Sequence, residues 1–397
     1  MKKVLKYSGH IILHSLFLLV SFFCPKNKKL WVFGAWKGEN YTDNAKYLFE
    51  YLLEKHPYRK YVWITRNNEV IRLLRRRGYA VIKIGTCEWF LTMMRAAVAF
   101  ETEGNADIGD YRPSRCKIIQ LWHGFGGKNC KWNKRDIWII DFFKKIVFDN
   151  REKSYWMVPS EYAIQSVNHN FFVERKQCFL TGSPRNDFIL NTRKSKVIDK
   201  ELASRPDCKK VIAYMPTHRN FGMDGNLQLT MEMCKKINLE CKKRKYLFVF
   251  KPHFHEMKHY TDMKSNYSHI VIADSETEPG YVDLYSYLGC FDMLISDYSS
   301  VIYDFLCTQK PVILFPYDLE KFKDSDGVPE AYFDDPSGPI CYTWNEIFAQ
   351  MDALDTNDEW REARERNRKN MHIFNDGMNC ERIYQTVLKL LGEKSHD

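Results

Sequence analysis

The chain has 397 residues, 45% of them hydrophobic and 28% charged, enough for two domains with cores of their own and ordinary for a globular protein. Its net charge of +10 suits anionic partners (phosphates, nucleotides, acidic lipid headgroups), and without zinc-finger spacing or an RNA-binding aromatic signature it is not read as nucleic-acid binding. The 12 cysteines are scattered singly with no C-x-x-C pair, which excludes a short disulfide scaffold and reads as reduced thiols of a cytosolic protein.

Residues 1–29 differ from the rest. Lys2, Lys3 and Lys6 precede an apolar run from Ile11 to Cys24, and Lys26, Lys28 and Lys29 follow it. The run is interrupted by His14, Ser15 and Ser21, and it is shorter than the ~20 residues of a spanning helix. No small-x-small cleavage site follows it. The pattern predicts an amphipathic helix on an anionic membrane surface, at the cytoplasmic face of the cell membrane. A helix docked on the fold and a true span are the alternatives.

Residues 30–200 predict an N-terminal Rossmann-like domain. Leu30–Gly34 reads as a buried strand, Asn44–Lys55 as a helix, Tyr61–Thr65 as a strand, Val70–Arg77 as a helix and Tyr79–Ile84 as a strand. Trp89–Ala97 reads as helical. Such alternation implies a parallel sheet covered on both faces. Lys117–Trp122 is a strand that runs into His123-Gly124-Phe125-Gly126-Gly127-Lys128. Glycines there allow close approach of a ligand, and strand carboxyl ends are where open α/β sheets bind ligands. His123 could serve as general base, and Lys128 offers charge to a phosphate; the plain alternative is a turn. Tyr155–Pro159 is a further strand, and Ser160 caps a helix over Glu161–His169. Cys178–Thr181 leads into Gly182-Ser183-Pro184-Arg185-Asn186-Asp187. Arg185 and Asp187 are candidate ligand or interdomain contacts, or Asp187 is a local helix cap.

A charged stretch from Arg193 to Lys210 reads as a linker. Residues 201–372 then predict a second Rossmann-like domain. The Val211–Met215 strand ends in Pro216-Thr217-His218-Arg219, with Arg219 suited to a pyrophosphate. Leu227–Lys236 reads as a helix, and Tyr246–Phe250 as a strand running into Lys251-Pro252-His253-Phe254-His255. His253, His255 and His259 raise metal binding, but only Glu256 joins them, so a cluster for phosphate is favoured and no metal or tightly bound cofactor is expected. His269–Ala273 is a strand, and a helix begins at Asp283. The Met293–Ile295 strand leads into Ser296-Asp297-Tyr298-Ser299-Ser300, and Val301–Cys307 reads as a helix. A strand, a Ser-rich turn and a helix start favour an anion, and Asp304 lies one turn further on. Pro311–Phe315 is the last strand. Two amphipathic helices close the chain, at about Glu359–Lys369 and Cys380–Leu391; residues 373–397 could cross back to the N-terminal domain.

These features give an α/β chain of GT-B type, two Rossmann-like domains whose strand-end loops face a central cleft. No G-x-G-x-x-G and no Walker A segment occurs. The ordered set Trp122-His123-Gly124 with Lys128, Gly182-x-Pro184-Arg185-Asn186-Asp187, Met215-Pro216-Thr217-x-Arg219, Lys251-Pro252-His253, Ser296-Asp297-Tyr298-Ser299-Ser300 with Asp304, and Asn375-Asp376-Gly377 resembles the CDP-glycerol glycerophosphotransferase family of teichoic acid primases and polymerases, over about residues 30–390. The resemblance implies a GT-B fold, CDP-glycerol as donor and a membrane lipid-linked glycan acceptor. It also implies His123 as base, His253 and Arg219 on the donor pyrophosphate, Ser299 and Ser300 around a phosphate, and Asp304 nearby. His218 departs from the aromatic residue that the family often carries there, and the proline common after His123 is missing. CDP-ribitol in place of CDP-glycerol, a nucleotide-sugar glycosyltransferase or epimerase, and a non-catalytic membrane-associated binding protein are the rival readings.

Overall fold

The computed structural model describes residues 2–125, 154–191, 195–219, 229–252, 256, 259–260, 267–273, 283–325 and 331–393, with the side chains of 2–12, 197 and 331 outside this set. His253, His255 and Lys128 therefore lie outside the described residues. The chain forms two compact units, the first over residues 1–125, 130–187 and 376–397 and the second over 126–129 and 188–375.

The first unit is built on a seven-stranded sheet. Its strands are β1 (Asn27–Phe33), β2 (Lys60–Thr65), β3 (Val81–Lys83), β4 (Ala96–Glu101), β5 (Lys117–Gln120), β6 (Tyr155–Val158) and β7 (Cys178–Leu180). They run in the order β3-β2-β1-β4-β5-β6-β7, and every pairing is parallel. Near-continuous apolar runs are what a parallel sheet covered on both faces demands. Phe33 and Phe100 stack across β1 and β4 at 4.3 Å, and Trp31 and Trp63 are wholly buried. The order reverses between β1 and β4. That switch point opens a crevice at the strand carboxyl ends.

Two elements differ from the expectation. Ala96 and Ala97, read as the tail of a helix, begin a central strand, Ala96–Glu101, between β1 and β5. Alanine favours a helix by intrinsic propensity, but its small side chain also suits a strand wedged between helices, and here all six residues are buried. The stretch read as a linker holds a helix, Lys196–Ala203, which buries Ile198.

The second unit carries a five-stranded parallel sheet: β8 (Lys210–Met215), β9 (Tyr246–Phe250), β10 (Ile270–Ile272), β11 (Met293–Ser296) and β12 (Val312–Leu314), in the order β10-β9-β8-β11-β12. Successive side chains alternate between faces, so Ile212 and Tyr214 enter one core while Val211, Ala213 and Met215 enter the other. The switch point lies between β8 and β11, so the loops after Met215 and Ser296 flank the crevice. Local capping places the covering helices. The Ser160 hydroxyl accepts from the Ala163 N–H, Thr230 caps Met231–Arg244, and Thr343 with Glu346 forms a capping box on Trp344–Thr356.

The N-terminal helix spans Lys2–Phe23 and lies on the first unit. Phe17 is buried against Trp89, Phe90 and Tyr111, and the Ser21 hydroxyl accepts from the Ser114 N–H at 2.8 Å. Leu13, Leu16, Leu19, Val20, Phe22 and Phe23 are exposed. No described helix is long and apolar enough to cross a membrane.

The C-terminal helix Asn379–Leu390 also belongs to the first unit. Asp187 accepts from the N–H groups of Asn379 at 3.0 Å and Cys380 at 2.8 Å, and so caps the helix start with charge. Burial pushes the Asp187 carboxyl above its usual range, and these two donors pull against that. Tyr384 stacks on His56 at 3.7 Å, and the Tyr51 hydroxyl donates to Glu381 at 2.7 Å. Gly182 makes the close approach of the two segments feasible. Its φ is +83°, and a Cβ there would sit 2.0 Å from Oδ1 of Asn379. Gly182→Ala should therefore lower the melting temperature by roughly 5 °C or more. Calorimetry checks this, and an unchanged transition would mean that the helix seat is soft.

Candidate functional site

In the first unit the site forms around the end of β5. Trp122 follows that strand with φ +51°, a left-handed conformation that costs a bulky residue about 1–3 kcal/mol and persists only where neighbours enforce it. Here they do. The Trp122 N–H donates to the Gln120 side chain at 2.9 Å, and the Asn44 amide donates to the Trp122 carbonyl at 2.7 Å. One Arg185 nitrogen donates to the His123 carbonyl at 2.6 Å and to Asp43 at 2.8 Å. The strained turn carries the half-buried His123 ring, flanked by Trp122 at 4.2 Å and Trp36 at 5.8 Å.

Nδ1 of His123 lies 3.3 Å from the Thr102 carbonyl. A carbonyl can only accept, so Nδ1 carries the proton and Nε2 is the basic nitrogen. Thr102 is held in turn by Asp107, which is wholly buried. Its carboxylate accepts from the N–H groups of Lys37, Thr102 and Glu103 at 2.6, 2.7 and 2.8 Å. Burial raises the Asp107 carboxyl, and those donors oppose the rise. Gly124 is half-buried beside His123.

Arg185 and Asp187, expected as ligand or interdomain contacts or, for Asp187, as a helix cap, take partners within the first unit. Both are buried, Arg185 beneath the His123 turn and Asp187 at the C-terminal helix. They hold the turn and the helix in position. Sequence reasoning missed Asp43, Asn44 and Asp107 because their partners lie 60 or more residues away or belong to a loop without a motif.

In the second unit the site forms at the carboxyl ends of β8, β9, β11 and β12. Asp297 is its centre. Oδ1 accepts from the Thr217 N–H at 2.8 Å, the Thr217 hydroxyl at 2.6 Å and the Tyr298 N–H at 2.7 Å. Oδ2 accepts from Arg219 at 2.6 Å. Arg219 also makes a two-pronged contact with Asp318, at 2.6 and 2.9 Å, and donates to the Thr217 carbonyl at 2.6 Å. Tyr298, Tyr317 and Phe322 surround its guanidinium at 5.1 to 5.6 Å. Burial alone would lower its proton affinity, but Asp297 and Asp318 hold it above the ordinary value.

In the structure Arg219 takes its partners from the protein itself. At 3% exposure it is committed to two carboxylates of the protein, where the sequence suggested a pyrophosphate. Its work is to tie three strand-end loops together. Ser296 is likewise internal, its hydroxyl donating to the Met215 carbonyl at 2.6 Å, and Asp304 and Pro216 are buried. Thr217, Lys251, Ser299 and Ser300 remain half-exposed on the end loops. The Val301–Phe305 helix is a single short turn, and the Ser299 hydroxyl accepts from the Val301 N–H at 3.4 Å.

Among the described residues one cluster has metal-ligand chemistry. Asp207, Cys208 and His269 bring their donor atoms within 4.8 Å of one another. They precede β8 and β10, at the opposite end of the sheet from the site, and His269 is already bonded to Asp207 at 3.0 Å and to Ser268 at 2.9 Å. Glu256, weighed as a ligand beside His253 and His255, is bonded to His218.

Arg219→Lys should cost roughly 3–5 kcal/mol of stability, because an ammonium cannot span both carboxylates and one is left buried without its partner. Denaturant unfolding measures it. Loss of activity with unchanged stability would return Arg219 to a ligand-binding role.

A family described as CDP-Glycerol:Poly(glycerophosphate) glycerophosphotransferase matches residues 16–389. The teichoic acid glycerol-phosphate transferase of Staphylococcus aureus is 26% identical over 91% of this chain and 94% of its own length. The teichoic acid poly(glycerol phosphate) polymerase of Bacillus subtilis is 24% identical over 90% of this chain, which spans 48% of that longer protein. The solved structure of the wall teichoic acid polymerase TagF superposes with a TM-score of 0.76 at 20% identity, over 98% of this chain and 97% of that one, and so shares its fold. The chain belongs to the CDP-glycerol:poly(glycerophosphate) glycerophosphotransferase family and is a transferase of the GT-B type.

Proposed function

We propose that the protein transfers glycerol phosphate from CDP-glycerol to a hydroxyl of a membrane lipid-linked acceptor and releases CMP, in the synthesis of a teichoic acid or capsule-type polymer. The observation that carries the reading is the His123 ring, held through Nδ1 by the Thr102 carbonyl on a strained strand-end turn. That is a base with its tautomer fixed in advance. Family membership supplies the donor class.

The chemistry follows from charge. The acceptor oxygen attacks the β-phosphorus as its proton passes to Nε2 of His123, and the bond to CMP breaks. Such a transfer needs placement and neutralisation more than covalent help from the protein. Ser299 and Ser300, on a loop that Arg219 and Asp297 fix, and Lys251, at the end of β9, are the exposed donors proposed to meet the donor phosphates, and Thr217, whose N–H and hydroxyl are given to Asp297, lines the same edge. His253 and Lys128 keep their proposed phosphate roles, and no tightly bound metal or cofactor is invoked.

The N-terminal helix suits a lipid-linked acceptor. Its outward Leu13, Leu16, Leu19 and Phe23, with exposed Lys28, Lys29 and Arg115 near its end, match the shape of an interfacial anchor. Peripheral attachment to the cytoplasmic face of the membrane is therefore part of the proposal.

Purified protein given CDP-glycerol and a lipid-linked acceptor should release CMP only when the acceptor is present, and His123→Ala should slow that release about 10²–10⁴-fold. Release from CDP-ribitol alone would reassign the donor, and no release from either would remove the transferase assignment. The wild type should also float with anionic vesicles, whereas Leu16→Glu with Phe23→Glu should stay in the soluble fraction with CMP release from a soluble acceptor analogue intact. Equal flotation of the two would remove the anchor.

A further inference from the structure

His218 occupies the β8 end loop between two residues that are tied down. Thr217 is held by Asp297, and Arg219 by Asp297 and Asp318. His218 keeps 32% of its side chain exposed, at the crevice edge that the β8–β11 switch point defines. Its Nδ1 lies 3.1 Å from Oε1 of Glu256, a carboxylate only 4% exposed.

The surroundings of Glu256 give that contact its meaning. Oε1 also accepts from the Arg219 N–H at 3.3 Å, while Oε2 is buried without a hydrogen-bond partner. Among the described residues the ionisable side chain paired with it is His218, a cation when protonated. A buried carboxylate is costly unless a positive group lies against it, and a protonated His218 is placed to be that group. With Nδ1–H donated to the carboxylate, the ring is fixed in orientation, and in the protonated ring the second proton is on Nε2 at its other end. A carboxylate behind an imidazole is a recurring way to hold a histidine for proton transfer.

Building on the donor reading above, we propose that His218 is the general acid of the transfer, with Glu256 as its positioning residue. As the acceptor oxygen bonds to the β-phosphorus, the bond from that phosphorus to the oxygen shared with CMP breaks. The electron pair of the broken bond stays on the CMP oxygen, which takes the Nε2 proton of His218. The acceptor's own proton leaves to His123, and His218 regains its proton from water.

A donor in which sulfur replaces the oxygen bridging the two phosphorus atoms tests this, because a thiolate leaves without being protonated. On CDP-glycerol, His218→Ala should slow CMP release about 10²–10³-fold. On the sulfur donor, release of the thio-product should be nearly equal for wild type and variant. Glu256→Gln keeps an acceptor for Nδ1–H but removes the charge; it should lose about tenfold on CDP-glycerol and almost nothing on the sulfur donor. His218→Gln repeats the comparison should the alanine variant lose its native melting transition. Equal losses on both donors, with the wild type active, overturn the general acid and leave the transferase reading standing. A wild type inert toward both donors overturns the two together.

Discussion

A parallel sheet covered on both faces leaves polar chemistry one place to go. Strand interiors must be apolar, as the all-buried β4 and β9 show, and helices fill the faces. Only at strand ends does the backbone meet water and ligands. Both units obey this constraint. His123 follows β5, the loop 216–219 follows β8, and Asp297 to Ser300 follow β11.

Strand-end loops have no ladder to hold them, so other contacts must. In the second unit one guanidinium, against Asp297 and Asp318, joins the loops after β8, β11 and β12. In the first, Arg185 with Asp43, and Asp107 with three N–H groups, do the equivalent for the turns around His123. Buried pairs of this kind add little net stability over an apolar filling. What they supply is a fixed place for a half-exposed neighbour. The fully buried polar residues build, and half-exposed ones (His123, His218, Ser299, Ser300) are placed to react or bind.

That division explains how far the sequence could be read. Strand-end motifs are local, so the positions of His123, Thr217 and Ser299 were legible from an apolar run followed by polar and glycine residues. Burial is not local. Arg219 and Arg185 look like ligand arginines because nothing in their own segments announces Asp318, 99 residues on, or Asp43, 142 residues before. Glu256, 37 or 38 residues beyond the residues it holds, was legible as a carboxylate near histidines, and its partner was not. β4 was hidden for a different reason. Ala96 and Ala97 extend a helical pattern by propensity, and only the sheet around them, with β1 on one side and β5 on the other, decides for a strand. Lys196–Ala203 shows the converse, since a charged stretch needs only one buried face to be a helix.

The two histidines that the structure sets at strand ends are held in the same way and by different oxygens. Each presents Nδ1 to an acceptor, the Thr102 carbonyl for His123 and the Glu256 carboxylate for His218. A carbonyl fixes a tautomer and adds no charge, so the ring it holds is complete as a neutral base. A buried carboxylate fixes the same tautomer and brings a negative charge that only a protonated ring would balance. Phosphoryl transfer between a hydroxyl and a diphosphate has one proton to remove and one leaving oxygen to neutralise. On the proposed reading, two imidazoles of identical intrinsic chemistry divide that work according to the oxygen behind each.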